Sequence, residues 1–150
     1  MFDNHNLIVF PAWDERKDRQ HFKDMQILFL TAILLFKHCL ADFYFQTSWM
    51  VSGKGKEKGW ILPLAAHSLT HGGLTIVIVA FYSGSIPFGL IIGGSEFAGH
   101  FCIDRIRASP FIFGRFKDTS AAVFWKLLGA DQLAHQLCYL LIVYACLRNP

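Results

Sequence analysis

The sequence contains four pairs of residue types that commonly bind metal ions, and the two members of each pair are four positions apart. Residues at positions i and i+4 lie on one face of an α-helix, so both side chains of a pair point in the same direction. Five of the seven histidines belong to these pairs. Four helices that each present two such side chains are typical of a metal centre inside a helix bundle. The pairs are His38 and Asp42, His67 and His71, His100 and Asp104, and Asp131 and His135.

Imidazole nitrogens and carboxylate oxygens are ligands that divalent transition metals accept in proteins. We therefore predict that all eight paired residues are metal ligands for one or two ions. Zn²⁺ is the first candidate for the cofactor, with Mn²⁺ or Fe²⁺ as alternatives. A metal-free polar network that carries protons is the other interpretation of the same residues.

The cost of burying charge favours the metal interpretation. Four carboxylates lie within otherwise apolar segments: Asp42, Glu96, Asp104 and Asp131. Each costs about 2.5–3.5 kcal/mol at the centre of a transmembrane helix, so four unpaired carboxylates would cost on the order of 10 kcal/mol. Lysine and arginine near helix ends usually extend outward to water. A divalent cation bound by histidines is therefore a better source of compensating charge.

Two further side chains share faces with the paired residues. Glu96 precedes His100 by four positions, so helix three presents Glu96, His100 and Asp104 in one stripe. We predict that Glu96 is the catalytic residue, a general base that takes a proton from a metal-activated water. A further ligand or a hydrogen-bond partner of a histidine is the alternative role for Glu96. Gln46 follows Asp42 by four positions and is expected to contact a ligand or the substrate.

Composition indicates an integral membrane protein. Hydrophobic residues make up 53% of the chain and charged residues only 17%, whereas a soluble domain carries roughly a quarter charged residues. The net charge of +3 is small and scattered, which argues against nucleic-acid binding and leaves membrane lipids as the expected partners. The four cysteines form no CxxC motif and lie in predicted helices, so we expect buried free thiols rather than disulfides.

The apolar segments predict an all-α fold, a four-helix transmembrane bundle with a polar core lined by metal ligands. The predicted helices cover about residues 25–50, 60–82, 88–108 and 120–147, and each is about 20 residues or longer, enough to cross a bilayer. Residues 1–24 are predicted to be a polar N-terminal tail with a solvated mixed-charge run, and residues 25–150 the membrane domain. A lysine- and glycine-rich loop is expected at 52–59. The Gly72-Gly73 and Gly93-Gly94 pairs are expected to permit close helix packing.

The depth of the ligand pairs supports their convergence. At about 1.5 Å per residue, all four pairs are expected roughly 10–18 Å from the same membrane face. The loops at this face and the helix ends that lead into them carry seven cationic residues, against five at the other face. The positive-inside rule therefore favours a cytoplasmic location for the loops after helices one and three.

The ordered motifs resemble an uncharacterised family of small polytopic bacterial and phage membrane proteins, catalogued as a domain of unknown function. The resemblance covers about residues 27–147 and implies a multi-pass membrane protein of the bacterial inner membrane, without implying an activity. A looser likeness of fold and polar patterning links the chain to membrane-bound metal-dependent hydrolases. The motifs are Lys37-His38-x-x-Ala41-Asp42-x-x-x-Gln46, Ala66-His67-x-x-x-His71-Gly72, Glu96-Phe97-x-x-His100-Phe101-x-Ile103-Asp104 and Asp131-Gln132-x-x-His135-x-x-x-Tyr139.

These observations lead us to expect a membrane-embedded, metal-dependent hydrolase that acts on a lipid or lipid-linked phosphate or ester. A transporter or channel for divalent metals or protons is the alternative, with the same residues as a transit site. A non-catalytic membrane partner with a structural metal is the third interpretation. A catalytic site keeps an open coordination position, a structural site is closed, and a transporter needs water access from both faces.

Overall fold

The computed structural model describes residues 15–149, and these residues form five α-helices and no β-strand. Four of the helices are long and apolar enough to cross a membrane, which confirms the all-helical fold with four candidate spans and indicates a membrane protein. The helices are α1 (Glu15–Phe43), α2 (Ser48–Lys54), α3 (Ile61–Ser83), α4 (Ile86–Ala108) and α5 (Ala122–Arg148).

The first span differs from its expected bounds at both ends. α1 begins at Glu15, ten residues before the expected start at Met25. Glu15 and Asp18 lie in its first turn, where acidic side chains stabilise the positive end of the helix dipole. Residues 15–24 are exposed, as expected of the mixed-charge run, but they are helical rather than an irregular tail. The rest of the predicted tail lies outside the described residues.

α1 ends at Phe43 rather than at the expected Met50, and a separate helix, α2, begins at Ser48. Thr47 caps α2, and its hydroxyl accepts a hydrogen bond from the Met50 amide at 3.3 Å. The expected loop at 52–59 was therefore wrong for residues 52–54, which are helical. The chain around the break exposes Phe43, Tyr44 and Trp49, and aromatic residues of this kind are typical of the membrane–water interface.

α3 and α4 pack backbone to backbone through two glycines. A Cβ atom placed on Gly72 would lie 2.7 Å from the Gly93 carbonyl oxygen, and one placed on Gly93 would lie 2.5 Å from the Gly72 carbonyl oxygen. A Cβ atom placed on the neighbouring Gly73 or Gly94 would meet no atom of the described chain within 4 Å. The close packing expected of the glycine pairs is therefore made by Gly72 and Gly93.

The outer surface of the spans is apolar, and the interior divides into two halves. Large side chains such as Phe36, Phe81 and Leu141 are exposed by 63%, 92% and 68%. One half of the interior is an apolar core of buried residues; the other half holds the buried histidines and acids. The apolar core comprises Leu30, Leu34, Val79, Tyr139, Ile142, Val143 and Cys146. This arrangement suits a lipid environment, in which apolar groups need no burial and polar groups do.

The cysteines are free, as expected, but only one of them is buried. Cys146 lies in the apolar core, Cys138 is partly buried, and Cys39 and Cys102 are exposed on the surface of the spans. An exposed thiol in a transmembrane helix faces lipid, where it behaves as a small apolar side chain. The expectation of buried thiols was wrong for these two positions because the sequence pattern did not distinguish lipid-facing from inward-facing positions.

Replacing Gly93 by alanine should destabilise the bundle, because the new methyl group overlaps the α3 backbone and the helices must separate. Gly94→Ala is the matched control, since it makes the same chemical change where no atom lies near. We expect Gly93→Ala to lower the free energy of unfolding in detergent by about 1–3 kcal/mol, and Gly94→Ala to leave it unchanged or slightly higher. Equal stability of the two variants would contradict the packing described here.

Candidate metal centre

Six of the eight predicted ligands converge into two adjoining groups of metal-ligand type. The first group brings together Asp42, His67, His71 and His100, and the second brings together His100, Asp104 and His135. Within each group the candidate ligand atoms lie within 4.8 Å of one another. The three histidines of the first group are buried close together. The His71 and His100 rings are stacked with their centroids 3.7 Å apart, and His67 contacts both of them edge-on. Helices α1, α3, α4 and α5 all contribute to the centre.

The spacing of the first group fits a single small cation. The Asp42 Oδ1 atom lies 3.1 Å from His71 Nε2 and 3.4 Å from His67 Nε2. The His67 and His100 Nε2 atoms are 3.2 Å apart. Ligand atoms bound to Zn²⁺ at about 2.0–2.2 Å in a tetrahedron lie about 3.3–3.6 Å from one another. These three distances are close to those between the ligand atoms of a bound zinc ion, and imidazole and carboxylate are ligand types that Zn²⁺ accepts.

The second group contains a ring nitrogen that is free to bind a proton or a metal ion. His135 Nδ1 donates to the Asp131 carbonyl oxygen at 2.9 Å, so Nε2 is the nitrogen left for such a ligand. This Nε2 is buried, has no hydrogen-bond partner among the described residues and lies 3.7 Å from Asp104 Oδ1. A lone pair that faces a carboxylate in a buried site is unfavourable without a proton or a metal between them.

The other two predicted ligands contact the centre from outside these groups. His38 Nε2 lies 3.2 Å from Asp42 Oδ2, and His38 Nδ1 lies 2.8 Å from the Tyr139 hydroxyl. Such a histidine orients a carboxylate ligand, a role common around metal sites. Asp131 supplies the carbonyl oxygen that fixes the His135 ring, and its own carboxylate lies 4.0 Å from His135 Nδ1. Metal binding by the His38 and Asp131 side chains remains a prediction.

Lys37 lies inside the bundle rather than extending to water, and it forms an ion pair with Glu96. The two side chains are only 4% and 3% exposed. The ammonium group also donates to the His71 carbonyl oxygen at 3.4 Å. The burial of Lys37 was not predicted, because lysines near helix ends usually extend outward to water. One signal was available: Lys37 continues the buried stripe formed by Leu30, Leu34 and Ala41.

The segment between α1 and α3 supplies two polar side chains to the membrane-face side of the centre. The Gln46 amide nitrogen lies 3.0 Å from His67 Nε2, as expected of a contact with a ligand. The Lys54 ammonium group lies 2.9 Å from Asp104 Oδ2. This position of Lys54 was not predicted, because Lys54 belongs to a lysine-rich segment that is typical of a surface loop. Its positive charge partly compensates the Asp104 carboxylate.

One carboxylate oxygen of Glu96 is ion-paired, and the other has no hydrogen-bond partner among the described residues. Its Oε1 atom contacts Lys37 and lies 3.9 Å from His71 Nδ1. Its Oε2 atom is buried and has no hydrogen-bond partner among residues 15–149. The predicted base therefore stands beside the metal-ligand groups and outside them, and it keeps a lone pair available for a proton.

A sequence model of one protein family matches residues 29–149, a range that holds every predicted ligand. The chain belongs to this family, described as Protein of unknown function (DUF3307). The match confirms the resemblance to an uncharacterised family. Comparison with curated proteins and with solved structures gives no match. The looser likeness to metal-dependent hydrolases is not shown by any comparison. Membership of the DUF3307 family implies no activity.

Purified protein should bind about one or two equivalents of Zn²⁺, Mn²⁺ or Fe²⁺, because imidazoles and carboxylates converge at metal-ligand spacing. His71→Ala should reduce the bound metal and lower the melting temperature together, since the remaining buried carboxylates lose their counter-charge. His21→Ala is the control because His21 is exposed on the first turns of α1. Elemental analysis and thermal unfolding with and without a chelator measure both effects. A wild type that neither holds nor takes up metal would rule out the centre.

The Lys37–Glu96 ion pair should stabilise the fold whether or not a metal is bound. Lys37→Met should destabilise the fold by about 3–5 kcal/mol, because it leaves the Glu96 carboxylate buried without its partner. Adding Glu96→Gln in the same chain should restore a large part of the loss, since the neutral amide needs no counter-charge. A double-mutant cycle measured by unfolding in detergent tests this coupling. Additive effects of the two changes would show that the pair does not interact.

Proposed function

We propose that the protein is a membrane-embedded, metal-dependent hydrolase whose substrate is a lipid or a lipid-linked phosphate or ester. A bound divalent cation would supply Lewis-acid chemistry, polarising the scissile group and lowering the pKa of water. The residues of the two ligand groups would hold it, and His38 would orient Asp42 through the Nε2–Oδ2 contact of 3.2 Å.

The observation that carries this proposal is a cleft between α4 and α5 that reaches the ligand groups from the side of the bundle. The cleft has a volume of about 200 Å³, and Glu96, His100 and His135 are its ionisable lining residues of acid and imidazole type. Its walls include Ile92 and Ile142, and exposed Leu141 lies at its edge on the lipid-facing surface. A cleft with apolar walls and a few polar groups suits a molecule with an apolar chain and a reactive polar group.

Glu96 is placed to accept a proton in this cleft. Its Oε2 atom is buried without a hydrogen-bond partner among the described residues, Glu96 lines the cleft together with His100 and His135, and Lys37 offsets its charge through Oε1. In the proposed reaction a water oxygen bonds to the carbonyl carbon or phosphorus, Oε2 takes the water proton, and the bond to the leaving oxygen breaks. The proton then passes from Oε2 to that leaving oxygen, which balances the step.

The apolar half of the interior favours hydrolysis over transport. Leu30, Leu34 and Val79 are exposed by 1% or less and fill the bundle on the far side of the centre. A transit site needs a hydrated route to both faces, and an apolar core of this kind offers no polar partners to water or an ion. The polar side chains instead gather toward one end of the spans.

Glu96→Gln should abolish activity, because an amide cannot accept the water proton, but it also leaves Lys37 buried without its partner and should lower stability. Lys37→Met/Glu96→Gln, which leaves neither charge of the pair unpaired, should retain metal and stability and still lack activity. The protein, reconstituted in nanodiscs and loaded with Zn²⁺ or Mn²⁺, is incubated with lipid phosphomonoesters, phosphodiesters and acyl esters. Released phosphate, headgroup and fatty acid are measured. We expect a loss of at least about 100-fold for Glu96→Gln. Glu57→Gln is the control, since it makes the same change at an exposed glutamate.

Each outcome decides between the alternatives. Full activity of Glu96→Gln would remove the base assignment, and loss of metal in Lys37→Met/Glu96→Gln would make Glu96 a structural partner of the centre. Wild-type protein that carries Zn²⁺ or Mn²⁺ across liposome membranes, with no hydrolysis of any lipid offered, would replace the hydrolase by a transporter. Metal that is bound with neither activity would make the centre structural.

A further inference from the structure

A second cavity lies next to the metal centre, at the end of the bundle where α2 and the α4–α5 connection meet. It has a volume of about 480 Å³. Its cationic lining side chains are Lys54 and Lys56 from the α2 segment, Arg107 from the end of α4, and Lys117 from the connection to α5. No aspartate or glutamate lines it. Lys54 is paired with Asp104, and the other three positive charges, which face no carboxylate among the lining residues, favour an anionic ligand.

Arg107 lines this cavity and also a neighbouring apolar one that includes Asp131, and it has an unused donor. Its Nε atom is buried and has no hydrogen-bond partner within the described part of the chain, while its guanidinium group lies 5.3 Å from the Phe124 ring centroid. A buried guanidinium donor without an acceptor is costly. A phosphate oxygen is the acceptor that arginine binds most readily, often through two parallel hydrogen bonds.

The walls of the cavity are fixed by packing. The Arg105 guanidinium lies 3.7 Å from the Trp60 ring centroid and donates to the Lys54 carbonyl oxygen at 3.4 Å, which joins the end of α2 to α4. The Gly114 backbone contacts the end of α4 so closely that a Cβ atom there would overlap the Ala108 carbonyl oxygen. Its amide donates to the Ser109 carbonyl oxygen at 2.7 Å. The cationic side chains therefore project from a defined frame.

The cavity and the metal centre share a wall. Lys54 lines the cavity and also contacts Asp104 Oδ2 at 2.9 Å. Arg107 follows Asp104 by three residues on α4, which is about 4.5 Å along the helix axis. An anionic group bound by Arg107 and Lys117 would thus lie at the edge of the centre, near the aromatic residues that indicate the membrane interface.

We propose that this cavity binds the phosphate group of an anionic phospholipid and so selects the substrate at the adjoining centre. Its role in substrate selection rests on the proposed hydrolase, whereas binding itself needs no turnover. The ligand chemistry is a phosphate mono- or diester anion, which a lipid headgroup presents at the height of the interface. Free inorganic phosphate offers the same oxygens without an acyl chain, and the experiment separates the two sources.

The test compares two charge-matched double variants from the same loops. Lys56→Ala/Lys117→Ala removes two cations from the cavity, and Lys58→Ala/Arg115→Ala removes two exposed cations that do not line it. Full-length protein in detergent is titrated with phosphatidic acid, phosphatidylcholine and inorganic phosphate, and bound ligand is counted by native mass spectrometry. We expect preferred binding of phosphatidic acid, weakened at least about tenfold in the cavity variant and less than about twofold in the control.

The outcomes are separable from those of the hydrolase test. Equal weakening by both variants would mean general surface attraction, and no weakening by either would mean that the cavity is not the site; each overturns the proposal. Inorganic phosphate that binds as well as phosphatidic acid would make the ligand a soluble phosphate and overturn the lipid source. Binding that persists in Glu96→Gln, with no hydrolysis by wild type, would support the cavity while the proposed function fails.

Discussion

Negative charge inside an apolar bundle is the constraint on which the rest of the structure depends. Asp42, Glu96 and Asp104 are enclosed among histidines and lysines, and the Glu96 and Asp104 side chains are only 3% and 8% exposed. Charge at that depth requires partners of opposite sign or a cation. Lys37 forms an ion pair with Glu96, and Lys54 forms one with Asp104. Asp42 instead faces three imidazoles. Further positive charge is therefore needed where the candidate ligand atoms converge.

This constraint also explains why the spans pack as they do. Apolar side chains gain little from burial in lipid, so helix association relies on close backbone approach and on polar contacts between helices. The α3–α4 pair supplies the first through Gly72 and Gly93, and the polar centre supplies the second. α1 and α5 are held to the same assembly by the His38–Tyr139 hydrogen bond at the centre and by apolar contacts beyond it.

The helical spans and the convergence of most ligands follow from local sequence rules. Apolar segments of sufficient length identify the spans, and the i, i+4 spacing gives each pair one face. The rest depends on information that periodicity does not carry. Thr47 caps a new helix within an aromatic-rich segment, so the structure has two helices where the sequence pattern predicts one. Lys37 turns inward because a buried carboxylate lies opposite it, a partner 59 positions away in the chain. His38 and Asp131 contact Asp42 and His135 but belong to neither ligand group, and metal binding by their side chains stays a prediction.

The contact between Gly72 and Gly93 has a consequence for ion size. α3 carries His67 and His71, and α4 carries His100 and Asp104, so the separation of these two helices sets the distance between their donor atoms. The glycines hold that separation near its minimum. Zn²⁺ bonds of about 2.0–2.2 Å fit a narrow gap, whereas Ca²⁺ bonds of about 2.3–2.6 Å need a wider one. The ion selectivity of the proposed metal centre would thus be set partly by two residues that bind no metal and carry no side chain.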